Sequence, residues 1–327
     1  MGPLQVGVLG VGHLGQHHAR LYASLPETRL AGIYDTDPVR AASIAERHGC
    51  PVFDDPGRLI AASQAVSVAV PTTAHYDLAK RCLDAGRHVL VEKPIAVTVA
   101  EAQELVAVAH AKGCVLQVGH SERFNPIMLA VRGELGRPAF IEAQRLAPFN
   151  VRGTDVDVIL DLMIHDLDLV LSMARSPVQS VQAEGASVLS SRIDLAHARL
   201  QFADGSVALL TASRVSATRL RRLRVYQESG SVAVDLHARH ATVTKRVPGS
   251  ERPSLEMRTI AGSDEEPLKL QLQSFADAIV AGRQAVVSGE AGTAALALAH
   301  RIRDAIGVYW DGLEANGFLH GQPRPSL

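Results

Sequence analysis

The sequence predicts an α/β protein of two domains: an N-terminal doubly wound parallel sheet, followed by an α+β domain with a mostly antiparallel open sheet. Three observations predict it. The 327 residues are too many for one ordinary core and suit two domains of common size. As far as Val118, short apolar runs alternate with amphipathic stretches, the spacing of βαβ units. After about residue 122, within the few residues of any boundary read this way, strands follow one another without intervening helices. The chain therefore divides into 1–122 and 123–327, with C-terminal helices able to pack back on the first domain.

In the first part, strands are expected at 4–9, 30–35, 65–70, 88–92 and 115–118. Helical periodicity fills 14–25, 38–48, 74–85 and 99–112 between them. Asp37 before Pro38 reads as an N-cap with proline at the first helical position. In the second part, one long apolar helix over 156–174 precedes strands at 181–189, 195–202, 207–215, 223–228, 232–236 and 241–247. Ala203-Asp204-Gly205 supplies a hairpin turn between two of them, because glycine there tolerates positive φ. The stretch 248–266, rich in Gly, Pro, Ser and charge, reads as an exposed loop. Helices return at 268–281 and 289–309, and the tail GQPRPSL is expected to fray.

Composition narrows the function classes. Hydrophobic residues make up 47% and charged residues 20%, enough apolar surface to offset chain entropy and make a globular protein. The 33 Lys plus Arg balance 34 Asp plus Glu, so no strong field attracts nucleic acid or an anionic membrane. The N-terminal residues lack a signal-peptide pattern and no apolar run reaches the length of a membrane span, so a cytoplasmic protein is expected. Cys50, Cys82 and Cys114 lack the close spacing of a zinc site or disulfide framework and read as packing residues.

Gly10-Val11-Gly12-His13-Leu14-Gly15 follows the first strand directly and opens the first helix. That is the setting of a Rossmann dinucleotide fingerprint: a tight turn, a close backbone approach to pyrophosphate, and tight packing of helix on strand. The helix N-terminus offers amides and a positive dipole to phosphate. Asp35 ends the second strand about 20 residues beyond Gly15, where a carboxylate accepts from the adenosine ribose hydroxyls and repels a 2′-phosphate. NAD is favoured over NADP. His13, His17 and His18 read as surface or lining residues, with no carboxylate or cysteine beside them to make a metal site. Pro71, Thr72 and His75 sit at the end of a later strand, where they border the nicotinamide or merely start a helix.

The helix at 156–174 is apolar nearly all round and should be buried. Yet Asp157, Asp161, His165 and Asp168 share one stripe. Buried charge is costly unless paired or used, so the stripe marks either a site or a satisfied network, with Asp155 and Asp157 as caps. Oxidation of an alcohol needs a base for the hydroxyl proton and a cation for the developing alkoxide. His165 titrates in the right range for the first and Lys93 suits the second.

The glycine fingerprint, Val70-Pro71-Thr72, Glu92-Lys93-Pro94 and Asp161-Leu162-Met163-Ile164-His165 occur in the order that resembles the glucose–fructose oxidoreductase, inositol dehydrogenase and rhizopine catabolism (Gfo/Idh/MocA) family. The resemblance covers nearly the whole chain. It implies catalytic roles for Lys93, Asp161 and His165, and a cofactor site at Gly10, Gly12, His13, Leu14, Gly15, Asp35, Pro71, Thr72, His75, Glu92 and Lys93. The run from Gly119 to Pro126, with Asp-Leu-Met-Ile-His-Asp-Leu-Asp, resembles a subgroup of UDP-N-acetylglucosamine 3-dehydrogenases. Arg123 and Asn125 are then candidates, with Lys93, Asp161 and His165, for contact with the substrate or its diphosphate. A domain-junction salt bridge is the other reading of Arg123. The cluster Arg219, Arg221, Arg222 and Arg224 lacks interleaved aromatics and reads as an exposed strand face or subunit contact.

The expected activity is NAD-dependent oxidation of a secondary sugar hydroxyl, C3 of UDP-N-acetylglucosamine or a relative. A free sugar or inositol dehydrogenase would use identical residues, and an NAD-dependent glycoside hydrolase or a non-catalytic NAD-binding sensor stays open. The resemblance also implies a homodimer or homotetramer formed through the C-terminal sheet.

Overall fold

The computed structural model describes residues 2–150, 156–247 and 254–317. They form two compact units, Met1–Phe124 with Glu265–Leu296, and Asn125–Asp264 with Ala297–Leu327.

The first unit runs β1 (Leu4–Leu9), α1 (Gly15–Ser24), β2 (Thr28–Tyr34), α2 (Pro38–His48), α3 (Pro56–Ala62), β3 (Ala65–Val68), α4 (His75–Asp84), β4 (His88–Val91), α5 (Val99–Lys112) and β5 (Leu116–Val118). All five strands are parallel, in the order β2-β1-β3-β4-β5. Every residue of β3, sequence AVSV, is buried, as strands covered on both faces require. Order reverses between β1 and β3, so a crevice opens at their carboxyl ends, the usual ligand position in such sheets.

Local signals account for the helices. Asp37 accepts from the amides of Val39 and Arg40, both at 3.1 Å, and Gly49 closes α2 in the left-handed conformation. Thr98 and Glu101 form a reciprocal capping box on α5. Asp55-Pro56 repeats the Asp37-Pro38 signal and starts α3, a seven-residue helix the sequence reading passes over. Pro267–Val280, α8 of the chain, adds Leu272 and Phe275 to a core built around Val6, Val8, Tyr22 and Ile33.

The second unit contains α6 (Pro126–Ala130), β6 (Pro138–Leu146), a π-helical segment at Ile159–Met163, α7 (Ile164–Met173), and strands β7 (Val178–Ala186), β8 (Leu195–Phe202), β9 (Val207–Ser213), β10 (Leu220–Gln227), β11 (Gly230–Asp235), β12 (His240–Arg246) and β13 (Leu255–Ala261). They make one eight-stranded sheet, β13-β12-β11-β10-β6-β9-β8-β7, antiparallel except for β6 with β9. One face packs Ile141, Ala143, Leu223 and Val225 against Leu167 and Val170 of α7. The helix α9 (Gly289–Ala315) contributes Ile302, Ile306 and Trp310 to the same core. The Trp310 indole donates to the Gly185 carbonyl at 2.9 Å, so its polar edge is satisfied there.

Four expectations need correction. The strand β6 is absent from the sequence reading because Arg145 occupies an inward position beside Ile141 and Ala143, which hides the alternation. The loop expected over 248–266 contains β13; Leu255 and Met257 are exposed on this edge strand, which is held by its ladder to β12. The strand expected to reach residue 189 ends at Ala186, because Asp194 draws residues 188–190 into a turn. The helix expected as one α-helix over 156–174 begins as the π segment. Asp155, the first part of the 248–266 stretch and the tail lie outside the described residues.

Candidate functional site

In the first unit the glycine loop is shaped by close contacts. Gly10 has φ of 82°, and a Cβ there would sit 2.6 Å from the Ala69 carbonyl oxygen. A Cβ on Gly15 would lie 1.8 Å from the Gly10 oxygen. A Cβ on Gly12 would meet only the Arg40 guanidinium, at an ordinary contact distance of 3.6 Å. Among the described residues no side chain caps α1, and an uncapped amino end with its free amides suits an anion. Asp35 accepts from the Val11 amide at 2.7 Å and, through its other oxygen, from the Asp37 amide at 2.9 Å. Arg40 lies 3.6 Å from the first of these oxygens. A carboxylate has lone pairs for about four donors, so Asp35 can brace the loop and still receive ribose hydroxyls. This loop, with its uncapped helix and acidic strand end, fits a dinucleotide. His13, Leu14 and Pro71 are exposed beside it and Thr72 is half-buried.

The ends of β3 and β4 carry a buried polar cluster. His75 sets Nδ1 2.7 Å from the Pro94 carbonyl oxygen and Nε2 2.9 Å from that of Val70, tying two strand-end loops together. Burial lowers its pKa, against the pull of those carbonyls and of Glu92. His18 is fully buried, correcting the surface or lining role expected for it. Its Nδ1 lies 2.7 Å from the Ser67 hydroxyl and its Nε2 3.1 Å from Glu92. The Glu92 carboxylate also receives the Lys93 amide at 3.3 Å. Burial alone would raise the Glu92 pKa; the hydrogen bond and charge of His18, aided by His75 and Lys93, outweigh it and hold the group below its usual range. Lys93 itself is half-buried. His18 escaped the sequence reading because its partners stand 49 and 74 residues away.

In the second unit the acidic stripe separates into two kinds of residue. Asp157 is buried, accepts from the amides of Ile159 and Leu160 at 3.0 Å, and pairs with Arg303 at 2.9 Å. Asp166, outside the expected stripe, forms a buried bidentate pair with Arg145 at 3.0 and 2.8 Å. Asp168 is buried as well. Asp161 and His165 are half-exposed on a segment whose neighbours Ile159, Met163 and Ile164 are buried. Asp161 lies inside the π turn and His165 just after it; single π turns within α-helices recur at functional sites.

Asn125 caps α6 through the Ile127 amide and donates to the Leu236 carbonyl at 3.0 Å, so both ends of its amide are engaged by the protein. Arg123 reaches the Val286 carbonyl at 3.3 Å. Arg222 and Arg224 stand exposed on β10, and Arg224 lies 3.7 Å from Glu142 on the neighbouring strand.

Comparison with known proteins bears on both units. Residues 4–120 match the oxidoreductase family with NAD-binding Rossmann fold, and residues 128–233 match the Gfo/Idh/MocA C-terminal domain. The chain is 36% identical to a UDP-N-acetylglucosamine 3-dehydrogenase of Acidithiobacillus ferrooxidans over 94% of its own length and 98% of the relative's. A solved structure of that enzyme superposes with a TM-score of 0.90, covering 94% of this chain and 99% of the other. An inositol 2-dehydrogenase of Rhizobium meliloti is 29% identical, over 90% of this chain and 94% of the relative. The glycine cradle, the parallel sheet behind it and the eight-stranded sheet of the second unit thus agree with the matches along the chain, which belongs to the Gfo/Idh/MocA family of NAD-binding oxidoreductases.

Proposed function

We propose that this oxidoreductase removes hydrogen from a secondary alcohol of a sugar, C3 of UDP-N-acetylglucosamine or a related nucleotide sugar. The observation that carries the chemistry is that Asp161 and His165, four residues apart, are half-exposed beside the buried Ile159, Met163 and Ile164. The substrate class is supported by similarity to the Acidithiobacillus enzyme along almost its full length.

Bound NAD+ supplies the hydride acceptor. In this reading His165 takes the proton of the reacting hydroxyl, since its ordinary pKa lies near neutrality. Asp161, four residues earlier, orients the imidazole and stabilises its charged form. The Lys93 ammonium faces the negative charge that grows on the same oxygen. Arg123 is the candidate for a substrate phosphate, which a guanidinium grips with two parallel hydrogen bonds.

The test is reduced-nicotinamide absorbance with purified protein, NAD+ and UDP-N-acetylglucosamine, run beside NADP+ and a panel of free sugars and inositols. Signal with the nucleotide sugar alone supports the narrow reading. Signal with inositol alone favours the second reading, for which the Rhizobium relative speaks, and keeps the same residues. Sugar release without net reduced cofactor would replace dehydrogenation by glycoside hydrolysis.

A further inference from the structure

His75, the first residue of α4, is 1% exposed, and both of its ring nitrogens face backbone carbonyls. Nδ1 lies 2.7 Å from the Pro94 oxygen and Nε2 2.9 Å from that of Val70. A neutral imidazole has one N–H, so it donates to one of these oxygens and sets a lone pair against the other. Only the imidazolium donates to both. The two carbonyls belong to different loops, since Val70 follows β3 and Pro94 follows β4. The Val70 segment in turn abuts the glycine loop. A Cβ on Gly10 would lie 2.6 Å from the Ala69 oxygen and 2.7 Å from Val70 Cγ1, and one on Gly15 3.3 Å from the Ala69 Cβ. The Ala69 amide also donates to the Leu9 carbonyl, at 2.8 Å, just before that loop.

We propose that His75 is a positioning residue for NAD+: its doubly protonated ring ties the loop after β3 to the loop after β4 and so fixes the wall on which the glycine loop rests. A ring closed off from solvent acts through the backbone it holds, not by touching the cofactor. This role does not depend on which alcohol is oxidised. Burial is the main force against the charge and lowers the pKa of the ring, so the free protein takes up this proton on the acid side of the ordinary histidine value. Residues 69–72 bring no titratable group to it. The loop after β4 brings Glu92, whose charge favours the imidazolium, and Lys93, whose charge opposes it. On its own helix, Asp77 is exposed. Binding of NAD+ to the tied form draws a proton onto His75, and by linkage the proton tightens NAD+ to the same degree. Affinity is therefore highest where the ring is charged. It declines as pH rises through the titration of the NAD+-free ring and levels off above that of the complex.

The experiment reads the ring by 15N NMR in the full-length protein, with His75 assigned in the wild type from its through-space contacts to Val70 and Pro94. At the acid end both ring nitrogens should carry protons. Saturating NAD+ should raise the titration midpoint by about one pH unit, the counterpart of an about tenfold tightening of NAD+ from the alkaline to the acid plateau. Calorimetric titration between about pH 5 and about pH 8 then compares the wild type with His75→Gln, whose amide can hold one carbonyl but takes up no proton. The ratio of the variant's NAD+ dissociation constant to that of the wild type should fall from about tenfold at the acid end to about one at the alkaline end. His13 and His17 at the start of α1 are present in both proteins and cancel in this ratio. A purely structural histidine would lower the melting temperature, leave the midpoint blind to NAD+ and keep the ratio constant with pH. A midpoint that NAD+ does not move overturns the proposal, as does a ring that keeps a single proton down to the onset of acid unfolding, or a ratio that does not change with pH. Should His75→Gln not fold, the wild-type midpoint with and without NAD+ decides alone.

Discussion

Asp35 accepts from the Val11 amide with one carboxylate oxygen and from the Asp37 amide with the other, so the side chain shapes the glycine loop in addition to its proposed contact with the ribose. Asp35→Ala should therefore weaken NAD binding by about tenfold or more, beyond what one hydrogen bond accounts for. Calorimetric titration measures it, and an unchanged dissociation constant would take Asp35 out of the cofactor site. His165→Asn should lower kcat by about a hundredfold while leaving NAD affinity within about twofold. Turnover at the wild-type rate would remove the base assignment. Cys82 is buried, which pushes its thiol up to about 12. Little thiolate then exists near pH 8, and Ellman's reagent should modify Cys82 only after denaturation. Rapid native labelling at this position would contradict the closed packing of α4 on its sheet.

The helix that carries Asp161 and His165 is fixed by ion pairs at both ends of its first turns. Arg303 holds Asp157 before the π turn, and Arg145 grips Asp166 after it. Arg145→Ala would strand the Asp166 charge in the interior and should cost about 3–5 kcal/mol of unfolding free energy, read by urea denaturation. The double variant Arg145→Met with Asp166→Leu should recover most of that loss, since two apolar groups need no partner. A single variant as stable as wild type would show that the pair contributes nothing.

Another carboxylate of the same unit gives a pH dependence. Burial alone would raise the pKa of Asp194, but the Ser190 hydroxyl and the amides of Val188, Leu189 and Ser190 outweigh it and hold it low. Its contribution is complete above the ordinary aspartate pKa and is lost as pH falls through the depressed folded value. The same sign applies to Glu92. Melting temperature should thus fall from neutral pH into the acid range, and less steeply in Asp194→Ala. Parallel slopes in the two proteins would exclude Asp194 as a source of the dependence.

Across the whole molecule, the outward face of the eight-stranded sheet mixes apolar and charged groups. Phe140 and Tyr226 place their rings 5.8 Å apart, Leu209 is 39% exposed, and Arg224 lies near Glu142. Assembly through this face remains a proposal taken from the family resemblance. Light scattering behind size exclusion should give a dimer or tetramer for the wild type and a smaller species for Leu209→Glu, which would bury a charge at the contact. A monomeric wild type removes the proposal.

The sequence determined whatever is written locally. Strand-turn-helix order, the glycines of the phosphate loop, the Asp37-Pro38 cap, the Asp-Gly hairpin and the spacing of Asp161 to His165 all concern residues a few positions apart, where backbone sterics and periodicity act directly. Tertiary structure decided the rest. Partners far apart in sequence made a buried ion pair out of Asp166 and hid a strand around Arg145. It also turned His18 from one of three neighbouring histidines into the buried partner of Glu92. Local pattern cannot report these, because the energy of a buried polar group is set by the donor or acceptor that the fold brings to it, and that partner stands elsewhere in the chain.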